Sequence, residues 1–437
     1  MKKLIINLAI LTTTFFSLLN LNSVLVKADT QGKLDLTSPR AVVMDFDTNE
    51  VIYSLNSEQE CQIASTTKLL TALILSEERN KNDVLAFSDI ARNLPSSSIS
   101  RDKLPSINTG EQITADNVIK GLLLSSGNDM AEIIAENISG TSAEFSKLMD
   151  EKAKSLNMNH SDFYTPNGLD NDYYLKGENH YSTAYDMALC GQAAYKDDWI
   201  RETIAIPYTE FSTASGLTAP LNNTNGNLGH NGCVGGKTGY TDKAGKCLVA
   251  IYNRGDRTLV GVVLGGDSPD FFVDMNKIMD YSFNSERKKI LSANDELEET
   301  TVSFKPLKNF GDKTEYTLPL FIKEDVFQYS NDFNDAHTDI KVNVDDNISA
   351  WDIDNDTSLG TVQVTENDKT STYNLYTNLT TDDFISDHQE LYNKVHFLKR
   401  CIVIFLVIFT LILAFLGYRF VKVKKIKFSF HNKKSCR

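Results

Sequence analysis

The 437-residue chain has only six cysteines, and two of them, Cys401 and Cys436, fall near its C-terminal end. The other four, Cys61, Cys190, Cys233 and Cys247, follow no framework spacing, so a disulfide scaffold is not indicated, although one bridge is left open. Histidine is equally sparse: His160, His180, His230, His337 and His388 are scattered singly, and no Cys or His pair has zinc spacing. The third shortage is of positive charge. Residues 29–398 carry 31 Lys and Arg against 58 Asp and Glu, a net charge of −27, whereas residues 1–28 and 399–437 carry 3 and 10 basic residues and no acidic ones. So anionic a middle repels a phosphate backbone, which excludes nucleic-acid binding. With 41% apolar, 23% charged and 10% aromatic residues, disorder and fibrous structure are excluded too, and the length of the middle segment fits two domains.

The basic ends have their own reading. Lys2 and Lys3 precede an apolar run from Leu4 to Leu21, and Val26-Lys27-Ala28 places small residues where a signal peptidase cuts, so residues 1–28 are expected to be a cleaved secretory signal. Cys401 to Tyr418 holds no charge, and eighteen helical residues reach about 27 Å, enough for a hydrocarbon core. Arg419, Lys422, Lys424, Lys425, Lys427, Lys433, Lys434 and Arg437 follow it, against Lys394, Lys399 and Arg400 before it. This bias predicts a single-pass anchor in the cell membrane, spanning the lipid bilayer, with a cytoplasmic tail (419–437) and an extracytoplasmic acidic middle.

Between the ends, Ala41–Asp45 and Val51–Ser54 read as an antiparallel hairpin around a polar turn. From Ser65 onward the pattern is apolar on nearly every face, as in a central buried helix. Residues 82–230 are mostly helical, including Ala115–Leu124, Asp129–Asn137 and Ala143–Ser155; strands return at Gly235–Tyr240, Cys247–Asn253 and Thr258–Leu264, and a helix near Asp270–Tyr281 closes the segment. Strands from both ends therefore flank a helical insertion in one α+β domain, residues 35–290. Residues 295–385 alternate apolar and polar positions between Asp- and Asn-rich turns, which predicts a small all-β domain; a juxtamembrane segment (386–400) and the transmembrane helix (401–418) follow. Within it, Asp352–Asp356 lacks the Gly and the bidentate Glu of a calcium loop and reads as a solvated turn.

Ser65-Thr66-Thr67-Lys68 has the form S-x-x-K, which puts an amine beside a hydroxyl on a helical turn. A serine is a poor nucleophile without an adjacent base, and a buried Lys near other cations can be neutral enough to serve. Ser100–Lys103 and Ser285–Lys288 match the same form, in polar segments expected to be exposed. What distinguishes Ser65 is ordered company: Ser126-Gly127-Asn128 (S-x-N) at a break between helices, then Lys237-Thr238-Gly239 (K-T-G), which occurs once, on a strand. This triple points to an active-site serine acyltransferase.

In Ile63–Lys68, Leu124–Asp129, His180–Met187 and Gly236–Thr241 followed by Ala244-Gly245, the sequence resembles the penicillin-binding proteins and serine β-lactamases, and among them the low-molecular-weight serine-type D-alanyl-D-alanine carboxypeptidases. The resemblance covers residues 35–290 well and 295–398 loosely; a full span with a basic tail departs from the family's usual amphipathic or short hydrophobic anchor. It implies a β-lactamase/transpeptidase-like fold, an antiparallel sheet with helices on both faces. It implies that Ser65 attacks the carbonyl of the penultimate D-alanine of a peptidoglycan stem peptide while Lys68 takes its proton. Ser126 relays a proton to the leaving amine, Asn128 holds the substrate amide, Lys237 supplies positive potential, and Thr238 hydrogen-bonds the terminal carboxylate. Backbone N–H groups of Ser65 and Tyr240, beside Gly239, form the oxyanion hole. β-Lactam antibiotics are implied as covalent inhibitors, and neither cofactor nor metal is needed. A D,D-endopeptidase would use the same residues. A β-lactamase would need a deacylating carboxylate, for which Glu178 is the one candidate in the right stretch, and the penicillinase Glu-x-x-Leu-Asn pattern is absent. An inert wall-binding module would show decay in at least one motif, and all three are intact.

Overall fold

The computed structural model describes residues 34–95, 97–170, 175–267, 269–308, 312–367 and 369–432; the expected signal segment and the tip of the basic tail lie outside the described residues. The chain divides into two compact units, Met1–Ile290 with Phe327–Thr338, and Leu291–Val326 with Asp339–Arg437.

In the first unit, β1 (Arg40–Asp45) and β2 (Val51–Leu55) form the expected hairpin. Its turn is fixed by the Asp45 carboxylate, which accepts the N–H groups of Asp47 and Thr48, both at 3.1 Å. With β3 (Cys233–Thr241), β4 (Gly245–Arg254) and β5 (Arg257–Gly266) they build one antiparallel sheet in the order β2-β1-β5-β4-β3. Thus β3, the strand bearing K-T-G, is a sheet edge. Alternation decides the two faces: Val42, Met44, Val249, Ile251, Val260 and Val262 point into the larger core, and Ala41, Val43, Leu248, Ala250, Leu259 and Val263 into a second.

The insertion between β2 and β3 carries α1 (Lys68–Glu78), α2 (Ala115–Leu124), α3 (Asn128–Ser139), α4 (Ser142–Ser155), α5 (Ala184–Lys196) and α6 (Asp198–Ile204). Apolar all round, α1 is buried from Lys68 to Leu75, which places it centrally. α7 (Asp270–Asn284) covers the opposite sheet face with Met275, Ile278 and Met279, so helices lie on both faces. Two short ribbons, Val84–Ala86 with Gln112–Thr114 and Tyr208–Ser212 with Thr218–Asn222, interrupt the helical stretch.

Two expectations are corrected here. Ser100 is not exposed: it lies in a buried turn whose backbone N–H bonds the Asp129 carboxylate at 2.7 Å. And the stretch 295–385 is not one uninterrupted domain, because 327–338 packs with the first unit. There α8 (Asp332–His337) starts at Asn331, and the side-chain amides of Asn331 and Asn334 both donate to the Val51 carbonyl at 2.9 Å. Phe333 enters the larger core, its ring 4.6 Å from that of Tyr185. This segment covers the other edge strand, β2, whose polar groups would otherwise be open to pairing.

In the second unit, β6 (Glu298–Phe304) pairs antiparallel with β7 (Thr314–Leu320), and β8 (Thr338–Val344), β9 (Gly360–Glu366) and β10 (Lys369–Asn374) form a three-stranded sheet. The alternation seen in sequence buries Val302, Phe304, Leu318 and Leu320, and Phe304 stacks among Trp351, Phe384 and Tyr316. The Asp352–Asp356 loop is closed on itself: the Asp354 carboxylate accepts from Thr357 Oγ1 at 2.7 Å and the Asp356 N–H at 2.9 Å. After α9 (Thr381–Asp387), capped by Thr380 and Asp383, the chain ends in α10 (Gln389–Asn432), 44 residues or roughly 66 Å long. Its stretch Gln389–Val423 is long and apolar enough to cross a membrane and is nowhere buried, so it is a candidate anchor.

Candidate active site

The chain enters the site through a strained turn. Ala64 sits at φ 48°, in the left-handed region that non-glycine residues rarely occupy, and Ala64–Thr67 form a 3₁₀ turn ahead of α1. The S-x-x-K serine is therefore on a 3₁₀ turn, where positions i and i+3 eclipse more directly than in an α-helix. Ser65 Oγ lies 2.7 Å from Lys68 Nζ. The turn is held by Thr66 Oγ1 donating to the Ile63 carbonyl (2.6 Å) and Thr67 Oγ1 to the Ala64 carbonyl (2.8 Å). Gly168, at φ +83°, lies against it; a Cβ there would collide with the Ala64 carbonyl.

Lys68 is fully buried, and among the described residues no carboxylate is hydrogen-bonded to it. Its amine meets Ser65 Oγ, Asn128 Oδ1 (2.8 Å) and the Asn167 carbonyl (2.7 Å), one partner for each proton of an ammonium. Burial first, and the charge of Lys237 second, push its pKa well below the ordinary lysine value, while Asp129 pulls weakly the other way. In the neutral amine two protons stay on the two carbonyl-type oxygens, and the lone pair is left for the serine proton.

The S-x-N segment is the break between α2 and α3. Ser126 is forced to φ 59°, the Gly127 N–H bonds the Gly121 carbonyl (3.0 Å), and the Asn128 N–H bonds the Ser97 carbonyl (2.6 Å). From the edge strand β3, Lys237 reaches Ser126 Oγ at 3.0 Å and its neighbour's carbonyl, that of Thr238, at 2.7 Å. It too is fully buried, and desolvation lowers its pKa to about 7. Gly239 is required by proximity: a Cβ on it would stand 2.9 Å from the Ser65 nitrogen. Thr238 Oγ1 bonds Thr224 Oγ1 at 2.7 Å. So Ser65, Lys68, Ser126, Asn128, Lys237, Thr238 and Gly239 converge, whereas the Tyr240 side chain turns out to solvent, its hydroxyl on Asp242 (2.9 Å) and its ring under Lys246 Nζ (3.9 Å). Glu178 is exposed.

Four participants were not visible in the motifs. Asn167 acts through its backbone, so its residue type gave no signal; the turn-forming run Thr165-Pro166-Asn167-Gly168 was the one hint. Asp170 accepts from Thr241 Oγ1 (2.5 Å), tying that loop to the end of β3. Thr224 approaches from the chain after the ribbon 218–222. His180 is buried behind the turn: Nδ1 accepts the Tyr164 N–H (3.1 Å), which leaves Nε2–H to donate to Thr67 Oγ1 (3.0 Å). Burial, aided by Lys68, lowers its pKa to about 4. Between that value and the ordinary 6.5 the unfolded chain takes up a proton that the folded chain refuses, so His180 removes stability as pH falls through this window. Thermal unfolding of wild type and His180→Gln from pH 7 to pH 4 should show wild type losing its advantage by up to about 3 kcal/mol; a constant gap would sink this account.

The described cysteines are all free; Cys61 is half-buried, and burial raises its thiol to about 11. Chemically, the site offers a hydroxyl beside a buried amine whose pKa is pushed down by desolvation, a second hydroxyl beside another such amine, and an open strand edge next to both. Those are the elements of serine acyl transfer.

The family model described as D-alanyl-D-alanine carboxypeptidase, that of the S11 peptidases, matches residues 26–268. The D-alanyl-D-alanine carboxypeptidase DacF of Bacillus subtilis is 30% identical over 313 residues, 71% of this chain and 77% of its own length. Among solved structures, penicillin-binding protein D2 of Listeria monocytogenes in its ampicillin-bound form is 28% identical with a TM-score of 0.51, covering 58% of this chain and 100% of that one. The D-alanyl-D-alanine carboxypeptidase DacD of Francisella tularensis, at 21% identity and a TM-score of 0.57, shares the fold over 79% of this chain and 94% of its own. The chain belongs to the S11 family of serine-type D-alanyl-D-alanine carboxypeptidases, hydrolases of the penicillin-binding-protein class.

Proposed function

We propose that this enzyme removes the terminal D-alanine from peptidoglycan stem pentapeptides through a Ser65 acyl-enzyme, and that β-lactams acylate the same serine. The observation that carries the reading is Lys68, buried between Ser65 Oγ and Asn128 Oδ1 with its pKa driven down by desolvation, which favours the amine form that can take the serine proton. Ser65 Oγ attacks the penultimate carbonyl as its proton passes to Lys68; the resulting ammonium already has Asn128 Oδ1 and the Asn167 carbonyl as acceptors. Negative charge develops on the carbonyl oxygen, for which the Ser65 and Tyr240 N–H groups are the donors, each worth about 3 kcal/mol in such roles. Collapse breaks the peptide bond, and the proton returns from Lys68 through Ser126 to the departing amine of D-alanine. Water then cleaves the ester. Among the described residues no carboxylate is hydrogen-bonded to Lys237, and the substrate's terminal carboxylate supplies a counter-charge.

The apolar α10 anchors the enzyme with its basic end in the cytoplasm, which leaves the catalytic unit on the wall side of the membrane. The test uses the detergent-solubilised full chain and a muropeptide ending in D-Ala-D-Ala. Release of free D-alanine with a product one alanine shorter is expected; cleavage of cross-linked dimers without release from monomers would overturn the carboxypeptidase assignment in favour of an endopeptidase.

A further inference from the structure

Thr224 is in none of the three motifs, yet it touches one of them and the helix end that leads into another. Its N–H bonds the Leu124 carbonyl at 3.1 Å, at the end of α2 where the S-x-N break begins, and its hydroxyl meets that of Thr238 on β3 at 2.7 Å. It is held in place by an asparagine-built turn. Asn223 Nδ2 donates to the carbonyls of Ile204 and Ile206, both at 3.0 Å, while its Oδ1 accepts the Asn225 N–H at 2.9 Å. Two residues on, Asn227 Nδ2 bonds the Tyr252 hydroxyl (2.9 Å) and the Phe272 carbonyl (3.0 Å). With its backbone so fixed, Thr224 nevertheless remains exposed, and so does its hydroxyl contact with Thr238. In this exposed pair Thr238 Oγ1 donates to Thr224 Oγ1, which uses the Thr238 proton and leaves the Thr224 proton outside the bond.

We propose that Thr224 is a specificity-determining residue that binds the substrate's C-terminal carboxylate together with Thr238. When the carboxylate arrives, the inter-threonine bond opens and each hydroxyl donates to one oxygen, a two-point contact that a neutral C-terminus cannot match because an amide offers one acceptor and one donor group. The pair therefore favours a free chain end over an internal bond. This inference rests on the carboxypeptidase reading above, and the experiment separates the two.

Wild type, Thr224→Val and Thr224→Ser are compared on an acylated tripeptide ending in D-Ala-D-Ala and on the same peptide amidated at its C-terminus. The Val variant should lose about tenfold in kcat/KM on the acid, mostly as a raised KM, with little change on the amide. The Ser variant should restore the acid preference. Equal losses on both peptides, or no loss on either, would overturn the assignment, because a residue that only props β3 would act on both alike. Failure of wild type itself to release D-alanine would instead strike the underlying reading.

Discussion

Ser65→Ala and Lys68→Met are each expected to lower the rate of acylation by penicillin on the order of 10⁴-fold, and the double variant to be no worse than either alone. The reason is that hydroxyl and amine act as one unit: at 2.7 Å the proton leaves Oγ only if Nζ is neutral and near, and without the serine the amine has nothing to activate. Lys68→Met is the more informative of the two. It leaves the serine, the strained turn and the neighbouring N–H groups in place and removes only the base. It also removes a buried amine whose charged form is disfavoured, at the expense of leaving Asn128 Oδ1 and the Asn167 carbonyl without this donor, so the fold should survive. Time-resolved labelling with a fluorescent penicillin reads the rate. If Lys68→Met still acylates within tenfold of wild type, another base is at work and the role given to Lys68 is wrong.

The second large effect concerns pH. With Lys237 at about 7 in the free enzyme, kcat/KM for a substrate bearing a free carboxylate should fall as pH rises through that value, because the deprotonated amine no longer offers charge. The acid limb belongs to Lys68, which must be neutral and is silenced as pH falls through its own lowered pKa. Lys237→Arg should move the alkaline limb upward, since a guanidinium does not deprotonate in this range. Stability runs the other way. The folded pKa of Lys237 lies below the ordinary 10.5, so between about 7 and 10.5 the unfolded chain holds the proton that the folded chain has released, and folding stability rises with pH across that window. Lys237→Met should accordingly unfold at a higher temperature than wild type at pH 7 while losing most activity on the acid substrate, a trade of function against stability. A profile with no alkaline limb near 7, or one unmoved in Lys237→Arg, would remove Lys237 from carboxylate recognition.

Much of the architecture was legible because it is carried by local periods. The β1–β2 hairpin followed from two short β-rich runs around a polar turn, and α1 from a run apolar on nearly every face, as in a central helix. In the second unit, the alternation of apolar and polar positions reappears in β6, where Val302 and Phe304 are the buried pair. What local pattern misjudged was context. Ser100 reads as surface because its neighbours are polar, yet the Asp129 carboxylate from α3 draws its backbone inward. Residues 327–338 lie within a stretch of β texture but belong to the first unit, since Phe333 finds its core partners there and two asparagines find the Val51 carbonyl.

For the site, the sequence by itself determined the chemistry available: a serine three residues before a lysine, a unique K-T-G, an S-x-N between them in order, and a charge distribution that puts an acidic body between two basic ends. Spacing of three is a local fact, and any helical turn brings such residues together. Only the tertiary structure surrounds Lys68 with its full set of partners and takes it out of water. Its other partners, Asn128 and Asn167, come from 60 and 99 residues away, and its lowered pKa is a property of burial that no spacing encodes. Likewise Lys237 becomes a titrating charge only because β3 carries it out of water to Ser126, 111 residues distant in the chain, and Thr224 enters the site because an asparagine turn delivers its hydroxyl to the edge of that strand.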